Sequence, residues 1–132
     1  MTATDYALNL IQVAAAAADD KLAKEIVAFD VSEQLSITDA FLLASAGNDR
    51  QVRAIVEEIE DKLRELDAKP IRREGHREGR WVLLDYGDIV VHVQHDEERE
   101  FYALERLWRD CPVIELNLTR PAAAEGDSGS EA

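Results

Sequence analysis

The sequence predicts a single α/β domain, with helices packed on a mixed sheet of about five strands. Three stretches carry that prediction: a strongly amphipathic helical segment after Gly47, an unbroken apolar run of strand length at 40–46, and two short apolar runs flanking Tyr86-Gly87. At 132 residues the chain is long enough to bury roughly two-thirds of its unfolded surface in one core.

Taken in order, residues 4–20 read as a helix, with Tyr6, Leu10, Val13 and Ala17 at helical spacing in an alanine-rich stretch that lets a neighbour approach closely. "EIVAFDVSE" (25–33) is rich in β-branched and aromatic residues and reads as a strand, with Val27, Phe29 and Val31 on one face. "AFLLASA" (40–46) has the continuous apolarity of a central strand covered on both sides. Too few residues separate these runs for a helical crossover, so the two strands pair antiparallel.

In the segment beginning at Gly47, Asn48 and Gln51 resemble a capping box. Val52, Ile55, Val56, Ile59, Leu63 and Leu66 share one helical face. Arg53–Glu57, Glu58–Lys62 and Glu60–Arg64 stand at ion-pair spacing on the others. Pro70 lies past the end of this helix and precedes a short strand, then a polar loop, "RREGHREGR" (72–80). "WVLLD" and "DIVVHVQ" form a hairpin around Tyr86-Gly87. Asp96 suits the cap of a last helix, whose stripe is Phe101, Leu104, Trp108 and Cys111; Pro112 closes it, and "VIELNL" (113–118) alternates like an edge strand. The domain thus spans 1–118, and 119–132 reads as a disordered acidic tail with nothing to bury.

The net charge is −13, which repels phosphate backbones and anionic membranes and favours basic partners; little direct contact with nucleic acid is expected. The single cysteine, Cys111, allows neither an internal disulfide nor a cysteine-based zinc site. The amino-terminal apolar run has no basic start and is broken by Asn9 and Gln12, so neither a signal peptide nor a membrane span is read there, and a cytoplasmic address is expected.

Asp85, Asp88, His92 and His95 make up a ligand list for a divalent metal, yet alternation along a strand sends His92 and His95 to opposite faces. Asp85 and Asp88 flank a turn, where carboxylates accept local backbone hydrogen bonds. Nucleotidyl transfer needs a Gly-Ser pair and an Asp-x-Asp pattern to hold magnesium; "SAGND" and two aspartates three apart supply neither. No serine has a histidine at motif spacing. Arg72, Arg73, His76, Arg77 and Arg80 form a basic island that suits either a phosphate or a solvated loop. Arg99, Tyr102 and Glu105 form a polar, aromatic stripe, open to reading as an interface or as an ion-paired helix face.

"WVLLDYGDIVVHVQHDEEREFYALERLW", with "SITDAFLLASAGNDRQVRAIVEEI" upstream, closely resembles the ribosomal silencing factor family, also called Iojap-related or RsfS. The likeness covers roughly residues 5–118. Two departures are Ala40, where the family usually has an aromatic, and Ala46-Gly47, where it usually has Ser-Gly. The resemblance implies a nucleotidyltransferase-like fold without the catalytic acids, no enzymatic activity and no cofactor. It implies a translational repressor that binds the large ribosomal subunit through its ribosomal protein numbered fourteen and sterically blocks small-subunit association, notably when nutrients are scarce. It also implies a link to large-subunit maturation and, for several members, homodimers. Carried onto this sequence, the contact surface is expected at Trp81, Asp85, Tyr86, Asp88, His92, Arg99, Tyr102 and Glu105, with Tyr86 and Tyr102 giving flat area, His92 orienting a neighbour or packing at the rim, and Trp108 supporting the core. The rival readings are a divergent metal-dependent nucleotidyltransferase or hydrolase using Asp85, Asp88 and His92, and an assembly scaffold that does not block joining.

Overall fold

Helix α1 (Asp5–Asp20) is followed by strands β1 (Lys24–Asp30) and β2 (Ala40–Ala46), helix α2 (Asp49–Arg64), strands β3 (Arg72–Glu74), β4 (Trp81–Asp85) and β5 (Ile89–His95), and a short helix, α3 (Asp96–Tyr102). The structure is a computed structural model and describes residues 3–118. The strands form one mixed sheet in the order β1-β2-β5-β4-β3, parallel between β2 and β5 and antiparallel elsewhere. This is the mixed α/β architecture that the sequence predicts.

Local chemistry sets the helix boundaries. The Thr4 hydroxyl accepts from the Ala7 N–H, and the Asn48 side chain accepts from the Gln51 N–H, each satisfying a donor that a helix start leaves free. Only half of the expected capping box forms, because the Gln51 amide donates instead to the carbonyls of Lys21 and Leu22. On α2, Val52, Ile55, Val56, Ile59 and Leu63 are fully buried, each contributing roughly 1.5–3 kcal/mol by leaving water. The ion pairs on its other faces differ from the expected ones: Arg64 pairs with Asp61 at 2.9 Å, and Glu60 reaches across to Arg73 on β3 at 2.6 Å. Helix α1 buries an almost all-small face of Ala7, Ala14, Ala15, Ala17 and Ala18 beside Leu10 and Ile11, whereas Tyr6 of the expected stripe is exposed.

The sheet has two unlike faces. Leu42, Ala44, Val82, Leu84, Val91 and Val93 join α1 and α2 in the main core. On the opposite face Phe29, Val31, Leu43 and Cys111 make a smaller cluster, with Val27, Phe41, Leu104 and Trp108 packed against it. Both faces of β2 are therefore covered, as its unbroken apolarity predicts. The chain's start is tied down by two carboxylates: Asp30 accepts from the Ala3 N–H and Asp39 from the Thr4 N–H.

Four expectations need correction. The stretch 72–80 is not all loop, since Arg72–Glu74 forms the strand placed nearer Pro70 by the sequence. The last helix stops at Tyr102, where Ala103 turns left-handed (φ 47°) and a 3-10 turn takes over at Leu104–Arg106. Its cap is His95, whose Nδ1 accepts from the Glu97 N–H, rather than Asp96. Residues 113–118 form no strand ladder: Val113 and Ile114 meet β1 through the Phe29–Val113 bridge and the Ile114 N–H to Ala28 hydrogen bond, and Glu115 and Asn117 then bond to the Gln12 side chain on α1. The tail expected at 119–132 lies outside the described residues.

Candidate functional site

The register of the β2-β5-β4 ladder decides which rings meet. His92 is paired with Leu43 on one side and Leu83 on the other, so Phe41 and Trp81 are its diagonal neighbours on the same face. Phe41 meets the His92 ring edge-on, with centroids 5.4 Å apart. The Trp81 indole N–H donates to His92 Nδ1 at 3.1 Å, which puts the neutral imidazole's own proton on Nε2. Burial holds His92 at a pKa of about 4, well below that of an ordinary histidine, so it is a neutral acceptor near pH 7.

Helix α3 starts where β5 ends, with no intervening loop, and folds back over this face. Tyr102 settles against Trp81 with ring centroids 4.8 Å apart, and Phe101 stands edge-on to Tyr102 at 4.9 Å. Past the left-handed turn at Ala103, Trp108 returns to meet Phe41 edge-on at 5.0 Å. Six rings thus form one arc, Trp108–Phe41–His92–Trp81–Tyr102–Phe101, whose exposure rises from 7% at His92 to 49% at Tyr102 and 79% at Phe101. Under α3 lies Arg99, 5% exposed, donating from Nε to Glu105 at 2.9 Å. That ion pair joins α3 to the 3-10 turn that follows it.

The residues expected to form one contact surface fall into two groups. Trp81, His92, Arg99, Tyr102 and Glu105 gather at the α3 end of the sheet. Asp85, Tyr86 and Asp88 lie at the hairpin turn, roughly four strand residues or ~13 Å from Trp81. Asp85 accepts from the Gly87 N–H at 2.8 Å and faces Arg72 at 3.5 Å, as a turn carboxylate does. Asp88 is exposed. Tyr86 is 7% exposed and belongs to the main core, so it offers little of the flat area expected of it; burial also pushes its phenol pKa up. Arg99 is likewise no open surface cation. Trp108 supports the smaller cluster, as expected. Phe101 is the residue missed: helical spacing puts it in a buried stripe, but that stripe assumes a helix unbroken through Cys111.

Among the described residues no group of three or more His, Cys, Asp or Glu side chains could hold a metal ion. The basic island is largely answered internally, Arg72 by Glu74 and Asp85, Arg73 by Glu60, and Arg80 by Asp49, Glu97 and Glu98. A cleft of about 560 Å³ between Lys24, Glu25 and α3 carries both signs of charge, and its Lys24–Asp96 and Arg99–Glu105 pairs neutralise each other. No helix among the described residues is long and apolar enough to cross a membrane.

The chain is similar to known proteins. The chain is 44% identical over 110 residues to the ribosomal silencing factor RsfS of Bacillus subtilis, covering 83% of this chain and 93% of that one. A crystal structure of a Bacillus halodurans protein superposes with a TM-score of 0.72 at 41% identity, covering 82% of this chain and 98% of that one. A mouse protein called mitochondrial assembly of ribosomal large subunit protein 1 is 29% identical over 89 residues, 65% of this chain and 39% of its own length. The family model described as ribosomal silencing factor during starvation matches residues 4–132. The chain belongs to the ribosomal silencing factor family.

Proposed function

We propose that the chain is a non-enzymatic translational repressor: it binds the large ribosomal subunit through the ribosomal protein numbered fourteen and, by occupying that face, blocks association with the small subunit when nutrients are limiting. Family membership supports the ribosomal setting, and the name of the mouse relative favours the large subunit. The observation that carries the docking surface is the outer end of the aromatic arc. Tyr102 and Phe101 stand exposed beside a half-buried Trp81, the residue types that concentrate binding energy at interfaces. The −13 charge complements a basic ribosomal protein and speeds encounter. The contact surface is proposed on Trp81, Tyr102 and Glu105, with Asp85 and Asp88 as a second, acidic point of contact at the hairpin turn, and Tyr86, His92 and Arg99 supporting from beneath. The protein works in the cytoplasm, alone or as a homodimer.

Capture of purified large subunits at two salt concentrations tests this. Large subunits are retained at low salt, small subunits are not, and retention weakens as salt rises. Failure to retain large subunits at either salt would reject the proposal. The mouse relative's name also supports a second reading, in which the chain assists large-subunit assembly without blocking joining. Under that reading the large subunit is retained but still pairs with the small one.

A further inference from the structure

The aromatic arc does more than line a surface. It crosses the sheet face beneath the carboxy-terminal segment and grips that segment at both ends, Tyr102 on Trp81 before the left-handed turn and Trp108 on Phe41 after it. The middle of the arc is His92, a ring that touches both of these strand residues, 7% exposed and paired on either side by Leu43 and Leu83.

We infer that His92 is a positioning residue of the docking surface, fixing the Trp81 ring through Nδ1 so that Trp81 seats Tyr102, and that Phe101 at the outer end of the arc is a further contact residue. This rests on the proposed large-subunit binding. A half-buried indole with a free N–H could settle in several rotamers. The hydrogen bond to His92 selects one, and Tyr102 packs on the ring in that orientation. Among the described residues Phe101 stays exposed, its ring contact being with an exposed tyrosine. An exposed phenylalanine held edge-on by its neighbour is pre-organised at little further cost in entropy, which suits an anchor inserted into an apolar recess of a partner.

The test uses four variants of the full chain. His92→Leu fills the space but removes the acceptor; His92→Asn keeps an acceptor oxygen where Nδ1 stands; Trp81→Phe removes the donor and leaves His92 intact; Phe101→Ala removes the outer ring. In the free protein, the Trp81 indole N–H is read by NMR for shift and hydrogen exchange. It should be protected in the wild type and in His92→Asn, and exposed in His92→Leu. On large subunits, His92→Leu and Trp81→Phe should each lose about tenfold in affinity, the equivalent of one hydrogen bond, with no further loss in the double variant. His92→Asn should stay close to wild type, and Phe101→Ala should lose tenfold or more with an unchanged melting temperature. Indole exchange unaltered in His92→Leu, or His92→Asn as weak as His92→Leu, would overturn the positioning role. Wild-type affinity in Phe101→Ala would overturn the contact role. A wild-type chain that ignores large subunits would reject the proposed function alone, because the indole readout still decides what His92 does; should His92→Leu not fold, His92→Phe, which also lacks an acceptor, gives the same indole readout.

Discussion

Acidification should cost this fold its stability in a window set by one buried ring. The native His92 titrates at about 4 because burial opposes its charge, against 6.5 for an ordinary histidine. Between those values the unfolded chain takes up a proton that the native state refuses, so stability falls as pH drops from about 6.5 towards 4. Below about 4 both states are protonated there and this contribution changes no further. At roughly 1.4 kcal/mol per pKa unit, the full loss is about 3 kcal/mol, a large share of the 5–15 kcal/mol typical of a domain. Asp30 acts lower on the scale. Burial alone would raise its carboxyl, but bonds from the Ser32 side chain and from the N–H groups of Ala3 and Ser32 hold it below the usual range, so its contribution is lost in stronger acid. Urea unfolding of the wild type and His92→Leu across pH 7.5 to 4.5 separates these terms. Acidification should shift the difference by about 2–3 kcal/mol in favour of His92→Leu. Parallel curves, or an NMR titration of the His92 ring near 6.5, would refute the reasoning.

Other perturbations probe different parts of the fold. Gln94 is fully buried and neither atom of its amide has a hydrogen-bond partner among the described residues, so Gln94→Met should stabilise the protein by about 1–2 kcal/mol in denaturant unfolding; a comparable loss would contradict the geometry. Ile59→Ala on the buried face of α2 should cost about 2–5 kcal/mol by the same measurement. Ala14→Leu, at a fully buried small position of α1, should cost about 1–3 kcal/mol through overpacking, where a plain hydrophobicity argument forecasts a gain. Arg99→Ala breaks a mostly buried pair with Glu105, and should loosen α3, seen as faster amide exchange from Arg99 to Tyr102 with the sheet unchanged.

Much of this architecture is readable from pattern alone because the pattern is set by burial. The stripe on α2, the two-sided apolarity of β2 and the Tyr-Gly turn each leave a period or a turn signature in the chain, and each element lies where those signatures place it. The carboxy-terminal third is harder. Phe101, Leu104, Trp108 and Cys111 keep perfect helical spacing, yet Ala103 adopts a left-handed conformation that alanine rarely favours and that no glycine announces. Past that turn Trp108 packs on Phe41, and packing between distant residues leaves no local mark. For the same reason Phe101 reads as core and Tyr86 as surface, the reverse of their places. The Trp81–His92 bond leaves no local mark either: the strand register that puts both on one sheet face and makes them diagonal neighbours appears only in the fold.

The central claim is that a docked surface, with no chemistry, keeps ribosomal subunits apart. Light scattering of purified small and large subunits mixed in the presence of a slight molar excess of the chain tests it most directly. The rise that marks joining should be suppressed by the wild type and restored by Phe101→Ala and Trp81→Ala. An undiminished rise with a wild-type chain shown to be bound to the large subunit would contradict it.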